Sequence, residues 1–184
     1  PMIDKAGLAI LGNDSFLLES MHKKKGQNFL NDYVAYTVNS TKCLGLKVIN
    51  AGGAEFFKKG GETFNLDDVV PSYGVTSRQI LTSLNKANEE LKIKHPLHVH
   101  CNNLGVPGNI KTIIETIKTA EGRRMHLAHV QFYGYDNKGK KGFSSGSVEL
   151  AEAVNKNKNI TVDVGQVMFK PTLTISSDVL RQFG

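Results

Sequence analysis

The sequence has little of what marks secreted or membrane proteins. It contains only two cysteines in 184 residues, Cys43 and Cys101, which are too few for a disulfide framework and indicate a reducing cytoplasm. No apolar run approaches the roughly 20 residues that a membrane-spanning helix requires. We therefore expect a cytoplasmic protein without a membrane partner.

Acidic residues are outnumbered by basic ones, 17 to 23, so the formal net charge is +6. The lysines lie in short clusters at 23–25, 138–141 and 156–158. Neither an RNA-binding aromatic motif nor a zinc-finger spacing accompanies these clusters. The charge distribution therefore favours a solvated lysine surface, and we predict no nucleic-acid partner.

Short β-branched segments alternate along the chain with longer helical ones. The hydrophobic pattern predicts strands at 6–11, 44–50, 97–101, 125–131 and 160–164, and helices at 15–25, 29–40, 76–92, 109–121 and 147–157. Such alternation indicates an α/β fold with a parallel sheet, either doubly wound or closed into a barrel. We find no repeat or internal boundary within residues 1–184. In either architecture, reactive side chains collect at the carboxyl ends of the strands.

Five of the six histidines lie close together in the sequence, mostly at two of these strand ends. Because neutral imidazole is a common metal ligand, they predict a metal-dependent site. His98 and His100 are two apart and face the same side of a strand, and His100 is nearer its carboxyl end. His126 and His129 are three apart, so on a regular strand only one faces the site. We choose His100 and His129 as ligands, with His98 and His126 as weaker alternatives and His126 expected beneath the helices.

Lys47 lies inside an otherwise apolar predicted strand. One interpretation is a lysine that reaches solvent at the strand end. The other is a buried lysine whose neutral amine reacts with CO2, giving a carbamate that bridges two metal ions. Spacing alone leaves both open.

Several polar residues follow the predicted strand ends and are candidate pocket or substrate contacts. They are Asn102, Asn103, Gln131, Asp163 and Gln166. The two asparagines have an alternative role in capping the helix that begins near residue 109. Cys101 follows His100 directly and should face the other way, as a buried structural thiol.

Four segments of the sequence match a known family. They are LKVINAGG (46–53), HVHCNNLGVPGN (98–109), AEGRRMHLAHVQF (120–132) and TVDVGQVMF (161–169). Together they resemble the amidohydrolase-type subunit of formylmethanofuran dehydrogenase, which belongs to the amidohydrolase superfamily and is related to hydantoinases and dihydroorotases. The string after Cys101 is the most specific part of the resemblance.

The resemblance implies that residues 1–184 are part of a (β/α)8 TIM-type barrel, with about five of its eight strands. It implies two zinc ions, with Lys47 carboxylated to N6-carboxylysine and bridging them, and with His100 and His129 as ligands. The implied reaction interconverts N-formylmethanofuran with formate and methanofuran in one-carbon metabolism or methanogenesis. The implied partners are the other subunits of the formylmethanofuran dehydrogenase complex.

The sequence also departs from the family pattern. It contains neither the His-x-His pair of the first barrel strand nor the catalytic aspartate of the last, so no catalytic residue is assigned within it. We expect an internal segment of a longer subunit that is inactive in isolation. Two alternatives stay open at this point: a hydantoinase- or dihydroorotase-like cyclic amidase, and a non-catalytic scaffold whose metal site is incomplete.

Overall fold

The computed structural model of the chain describes residues 5–165. Six α-helices are present in this part: α1 (Ser15–His22), α2 (Gln27–Thr41), α3 (Gly53–Lys58), α4 (Ser77–Glu90), α5 (Ile110–Thr119) and α6 (Ser147–Lys156). The strands are β1 (Leu8–Leu11), β2 (Gly45–Ile49), β3 (Leu97–His100), β4 (Met125–Leu127), β5 (Tyr135–Asp136), β6 (Ser144–Ser145) and β7 (Ile160–Val162). A short 3-10 helix spans Val130–Tyr133. No helix within residues 5–165 is long and apolar enough to cross a membrane.

Five of the strands form one parallel sheet in the order β1-β2-β3-β4-β7. The predicted α/β fold and its parallel sheet are thus confirmed. Because the strands follow one another in chain order, right-handed crossovers place the connecting helices on the same face of the sheet. A doubly wound sheet instead reverses its strand order partway across, and the described residues contain no such reversal.

The two faces of the sheet differ in burial, since successive side chains point to opposite sides. One face packs under the helices and is fully buried; its residues include Leu46, Val48, Leu97, Val99, Met125 and Leu127. The other face has half-buried side chains at alternating positions of the same strands. We call it the open face. The histidines of the predicted site lie on the strands that form it or directly after them.

Helix α4 begins at the capping signal that the sequence contains. At the start of α4, Thr76 Oγ1 accepts a hydrogen bond from the Gln79 backbone N–H (3.3 Å), and Gln79 Oε1 accepts one from the Thr76 N–H (2.9 Å). This reciprocal capping box satisfies two otherwise unpaired donors. On α5, Ile110, Ile113 and Ile117 recur at helical spacing and are buried.

The predicted strand 125–131 is wrong in its second half. The strand ends at Leu127, and His129 has left-handed backbone angles (φ 38°, ψ 53°) before the 3-10 helix. The N–H of His129 donates to a carboxylate oxygen of Asp163 (2.5 Å) rather than to a neighbouring strand. That hydrogen bond stabilises a turn that the alternation of apolar and polar residues along the sequence does not predict.

Two elements were not predicted. Helix α3 lies within the Gly-rich segment after β2, and the antiparallel pair β5–β6 lies within the Gly-, Lys- and Ser-rich segment before α6. Both elements are short. Their hydrophobic patterns cover too few residues for periodicity to distinguish them from loops.

Candidate metal centre

The open face brings Lys47 and two histidines into one row. In the register of the sheet, Lys47 of β2 pairs with His98 of β3, and His98 pairs with His126 of β4. All three side chains are half-buried. The prediction that His126 lies beneath the helices is therefore wrong, because its strand presents Met125 and Leu127 to that layer instead.

His100 and His129 lie above this row, at the carboxyl ends of β3 and β4. Nδ1 of His100 is 2.8 Å from Nε2 of His129, with the ring centroids 4.5 Å apart. Nδ1 of His129 is buried and has no hydrogen-bond partner among the described residues. We call His100 and His129 the upper pair.

A second group lies one layer lower on the same face. The atoms of His98, His126 and Asp163 that could bind a metal ion all lie within 4.8 Å of one another. Nε2 of His126 is 3.0 Å from Asp163 Oδ2, and its Nδ1 is 2.9 Å from Thr161 Oγ1. We call His98, His126 and Asp163 the lower triad. Thr161 was missed by sequence reasoning, although its register opposite His126 follows from aligning the two strands.

The phase argument that only one of His126 and His129 faces the site is also wrong. It assumed a regular strand through both residues, whereas the chain leaves the sheet after Leu127. The left-handed backbone of His129 turns its ring back to the side that His126 already faces. Both residues therefore contribute to the open face.

Burial favours the neutral form of three imidazoles of the site, those of His98, His100 and His129. Burial, followed by the nearby charge of Lys47, lowers the pKa of His98 to about 4. Burial, followed by the charge of His129, lowers the pKa of His100 to about 4. Burial likewise lowers the pKa of His129. Neutral imidazoles have the lone pair that a divalent metal requires.

Asp163 supplies the negative charge of the site. Burial alone would raise the pKa of its carboxyl, but the hydrogen bonds from His126 and from the His129 N–H outweigh that effect and lower it. The carboxylate is therefore ionised wherever the imidazoles are neutral. Imidazole nitrogens beside a carboxylate form a donor set that suits zinc.

Lys47 is the remaining charged group of the row. It lies in the middle of β2 between the buried residues Leu46 and Val48, and it makes no ion pair or hydrogen bond with any residue in 5–165. Its charge contributes to the lowered pKa of His98, His100 and His129. A protonated amine has no lone pair for a metal ion, so Lys47 could hold one only as a neutral amine or as a carbamate.

The side chains of the asparagines after β3 form hydrogen bonds that hold neighbouring segments of the fold together. Asn102 Nδ2 donates to Phe64 O (3.1 Å) and to Ser77 Oγ (2.8 Å). Asn103 Oδ1 accepts from the Phe64 N–H (2.8 Å). Both are buried, and these hydrogen bonds anchor the segment before α4. Cys101 is buried as expected, and burial raises the pKa of its thiol to about 12.

Two further residues, Gln131 and Gln166, were predicted to line a pocket. Gln131 lies just beyond the upper pair, where its Oε1 accepts from the Gly165 N–H (3.0 Å). Its Nε2 is buried with no partner among the described residues. Gln166, the other candidate, lies outside the residues that the structure describes.

Known proteins resemble this chain over its whole length. It is 47% identical to FhcA of the formyltransferase/hydrolase complex of Methylorubrum extorquens, covering 100% of this chain and 34% of that protein. It is 37% identical to protein FwdA of Methanocaldococcus jannaschii, covering 97% of this chain and 33% of that protein. The chain thus spans about a third of the length of these curated relatives. No family model matches it.

A solved structure also matches the fold. The crystal structure of the formyltransferase/hydrolase complex FhcABCD from Methylorubrum extorquens, in complex with methylofuran, contains a chain with 46% identity and a TM-score of 0.91. The match covers 100% of this chain and 34% of that one. At this identity the similarity extends to the sequence as well as to the fold, so the resemblance found in the motifs is confirmed.

Proposed function

We propose that this protein has a role in hydrolysing a formyl amide. The chain is homologous along its length to FhcA and FwdA. In this proposal the protein interconverts an N-formyl derivative of a methanofuran-type amine with formate and the free amine. It acts together with other subunits, as the FhcABCD complex of the related structure suggests. The two relatives do not decide between a methylotroph and a methanogen complex.

One observation carries the proposal. Lys47, His100 and His129 come from three neighbouring parallel strands or the turn that follows them, and they meet on the open face. These are the positions that the family resemblance predicts for a bridging carboxylated lysine and two histidine ligands. Three such groups converging by chance from segments so distant in the sequence would be unusual.

The same face supports part of a (β/α)8 barrel as the architecture. In a closed barrel, consecutive parallel strands carry their helices outside and direct alternate side chains into the interior. The sequential strand order and the single helical face agree with that arrangement. In this proposal the open face is the barrel interior, and its upper edge is the active-site end.

Each residue then has a defined role. The Lys47 amine attacks CO2: an N–C bond forms as one C–O π bond of CO2 breaks, and the nitrogen loses a proton, which leaves a carbamate with one negative charge shared by two oxygens. His100 and His129 would hold a zinc pair together with that carbamate. Bound zinc lowers the pKa of water and polarises a carbonyl oxygen. Because the imidazoles are neutral near pH 7, metal binding need not displace protons from them.

Lys47→Ala tests the proposal. The variant removes the bridging group, so we expect loss of zinc and of formyl hydrolysis in the complete natural protein. Lys92→Ala, at an exposed position beyond α4, is the matched control and should keep both. Wild-type zinc content in Lys47→Ala would refute the assignment.

The same preparations test the two alternative functions. Hydrolysis of a cyclic amide, such as a hydantoin or dihydroorotate, in place of the formyl amide would favour the cyclic amidase. A wild-type protein that binds no zinc and hydrolyses neither substrate would favour the scaffold.

A further inference from the structure

We infer that Asp163 is a positioning residue, which holds His129 in the backbone conformation that brings its imidazole to His100. The inference rests on the proposed role of His129 as a metal ligand. It assigns the function of a residue that lies after β7, 34 positions further along the chain.

His129 needs such support because its conformation is unfavourable by itself. A left-handed backbone is unfavourable for a residue other than glycine, because its Cβ approaches the following carbonyl oxygen. Had β4 continued as a regular strand, His129 would face away from His126. The ring reaches His100 only because the chain turns at this one residue.

Asp163 holds this turn from both sides. Its Oδ1 accepts the His129 N–H at 2.5 Å. Its backbone N–H donates to Leu127 O (3.1 Å), and its backbone O accepts from the Val130 N–H (3.0 Å). The three hydrogen bonds hold Leu127 before the turn, His129 within it and Val130 after it, so they fix where the turn begins and ends.

The carboxylate itself is held in orientation. Oδ2 of Asp163 is 3.0 Å from His126 Nε2, and His126 Nδ1 is 2.9 Å from Thr161 Oγ1. Thr161 and Asp163 belong to the same segment, so this chain of contacts ties β4 to β7 directly below the upper pair. His126 thereby holds the Asp163 carboxylate in place, and the lower triad stabilises the position of the metal ligands above it.

The alternative is that Asp163 binds a metal ion itself, as a member of the lower triad. Asparagine at position 163 separates the two roles. Its amide oxygen still accepts the His129 N–H, whereas it is a much poorer ligand than a carboxylate. A positioning role therefore predicts that Asp163→Asn recovers most of what Asp163→Ala loses.

The experiment measures zinc affinity by chelator competition in the complete natural protein with its partner subunits. We expect Asp163→Ala to weaken zinc binding by about 10–100-fold, the usual effect of losing a group that orients a ligand. Asp136→Ala is the matched control, because Asp136 also accepts a backbone N–H (2.8 Å) and pairs with a lysine (3.0 Å) on the β5–β6 hairpin. It should leave the affinity unchanged.

The outcomes separate this inference from the proposed function. If Asp163→Ala binds zinc like the wild type while His129→Ala does not, the inference is overturned and the function stands. Equal losses in Asp163→Ala and Asp163→Asn also overturn it, since they make the carboxylate a ligand. Retention of zinc by His129→Ala overturns the function instead.

A second measurement applies if Asp163→Ala does not fold. The cobalt-substituted Asp163→Asn protein should have the visible absorption spectrum of the cobalt-substituted wild type, because the ligands and their geometry are retained. A changed spectrum would mean that the carboxylate binds the metal and would contradict the positioning role.

Discussion

Replacing Asn109 with alanine should loosen the two loops that follow the upper pair. The side chain of Asn109 is 2% exposed. Its Nδ2 donates to Asn103 O (2.8 Å) and Phe132 O (2.7 Å), and its Oδ1 accepts from the Tyr135 N–H (3.1 Å). One side chain therefore joins the loop after β3 to the segment after β4, and alanine can make none of these three hydrogen bonds.

The expected effect follows from the number of hydrogen bonds. At about 1 kcal/mol each, three lost hydrogen bonds lower the free energy of local opening by about 3 kcal/mol. Because about 1.4 kcal/mol corresponds to a factor of ten, amide exchange in these loops should accelerate by about 150-fold. The Gly105 N–H, which donates to Phe132 O (3.0 Å), is the most direct reporter.

Hydrogen–deuterium exchange with mass spectrometry measures this in the intact protein, using peptides that cover 101–108 and 130–136. Asn157→Ala is the matched control, since Asn157 Nδ2 donates to the Ala153 carbonyl at the end of α6 (2.7 Å). It should leave both peptides unchanged. Equal exchange in Asn109→Ala and the wild type would refute the account of Asn109 as the connection between the loops.

Three further predictions concern the site and the core. A Cβ at Gly165 would come 3.1 Å from the Cβ of His129 and 2.8 Å from Gln131 Nε2, so Gly165→Ala should displace His129 and reduce zinc content; an unchanged content would contradict this crowding. Asn85 is fully buried, and neither of its amide atoms has a partner among the described residues. Asn85→Leu should therefore raise the melting temperature by removing a desolvation cost of about 1–3 kcal/mol, and a lower melting temperature would be inconsistent with it. Finally, His98 and His100 have pKa values of about 4 in the folded chain against about 6.5 when unfolded. Since the unfolded chain binds more protons in this range, metal-free protein should lose stability as the pH falls from about 6.5 to 4, and His98→Gln should flatten that slope in a thermal-melting series. Identical slopes would exclude His98 as a cause.

The parallel sheet was predictable because its signals are local. Segments such as 44–50 and 97–101 contain β-branched and apolar residues at strand spacing, and Thr76 with Gln79 identifies the start of α4. The histidines at the ends of two such strands predicted where a metal site would lie. None of these inferences depends on a contact between distant parts of the chain.

Two features of the site that the sequence did not predict depend on distant contacts. The turn at His129 requires the Asp163 carboxylate, 34 positions away in the sequence, and that turn invalidated the strand-phase argument that only one of His126 and His129 faces the site. The sequence left Asn102 and Asn103 open between lining a pocket and capping a helix, and it did not reveal that they hydrogen-bond to Phe64, 38 and 39 positions away. Local periodicity contains no information on either pairing.

The central claim is that Lys47 and the upper pair hold two zinc ions, and anomalous X-ray diffraction at the zinc edge tests it most directly. Crystals of the complete natural protein should give two anomalous peaks beside Lys47, His100 and His129, with electron density for a carbamate extending from Lys47. Peaks confined to the lower triad, or an unmodified Lys47 with no zinc near it, would contradict the account.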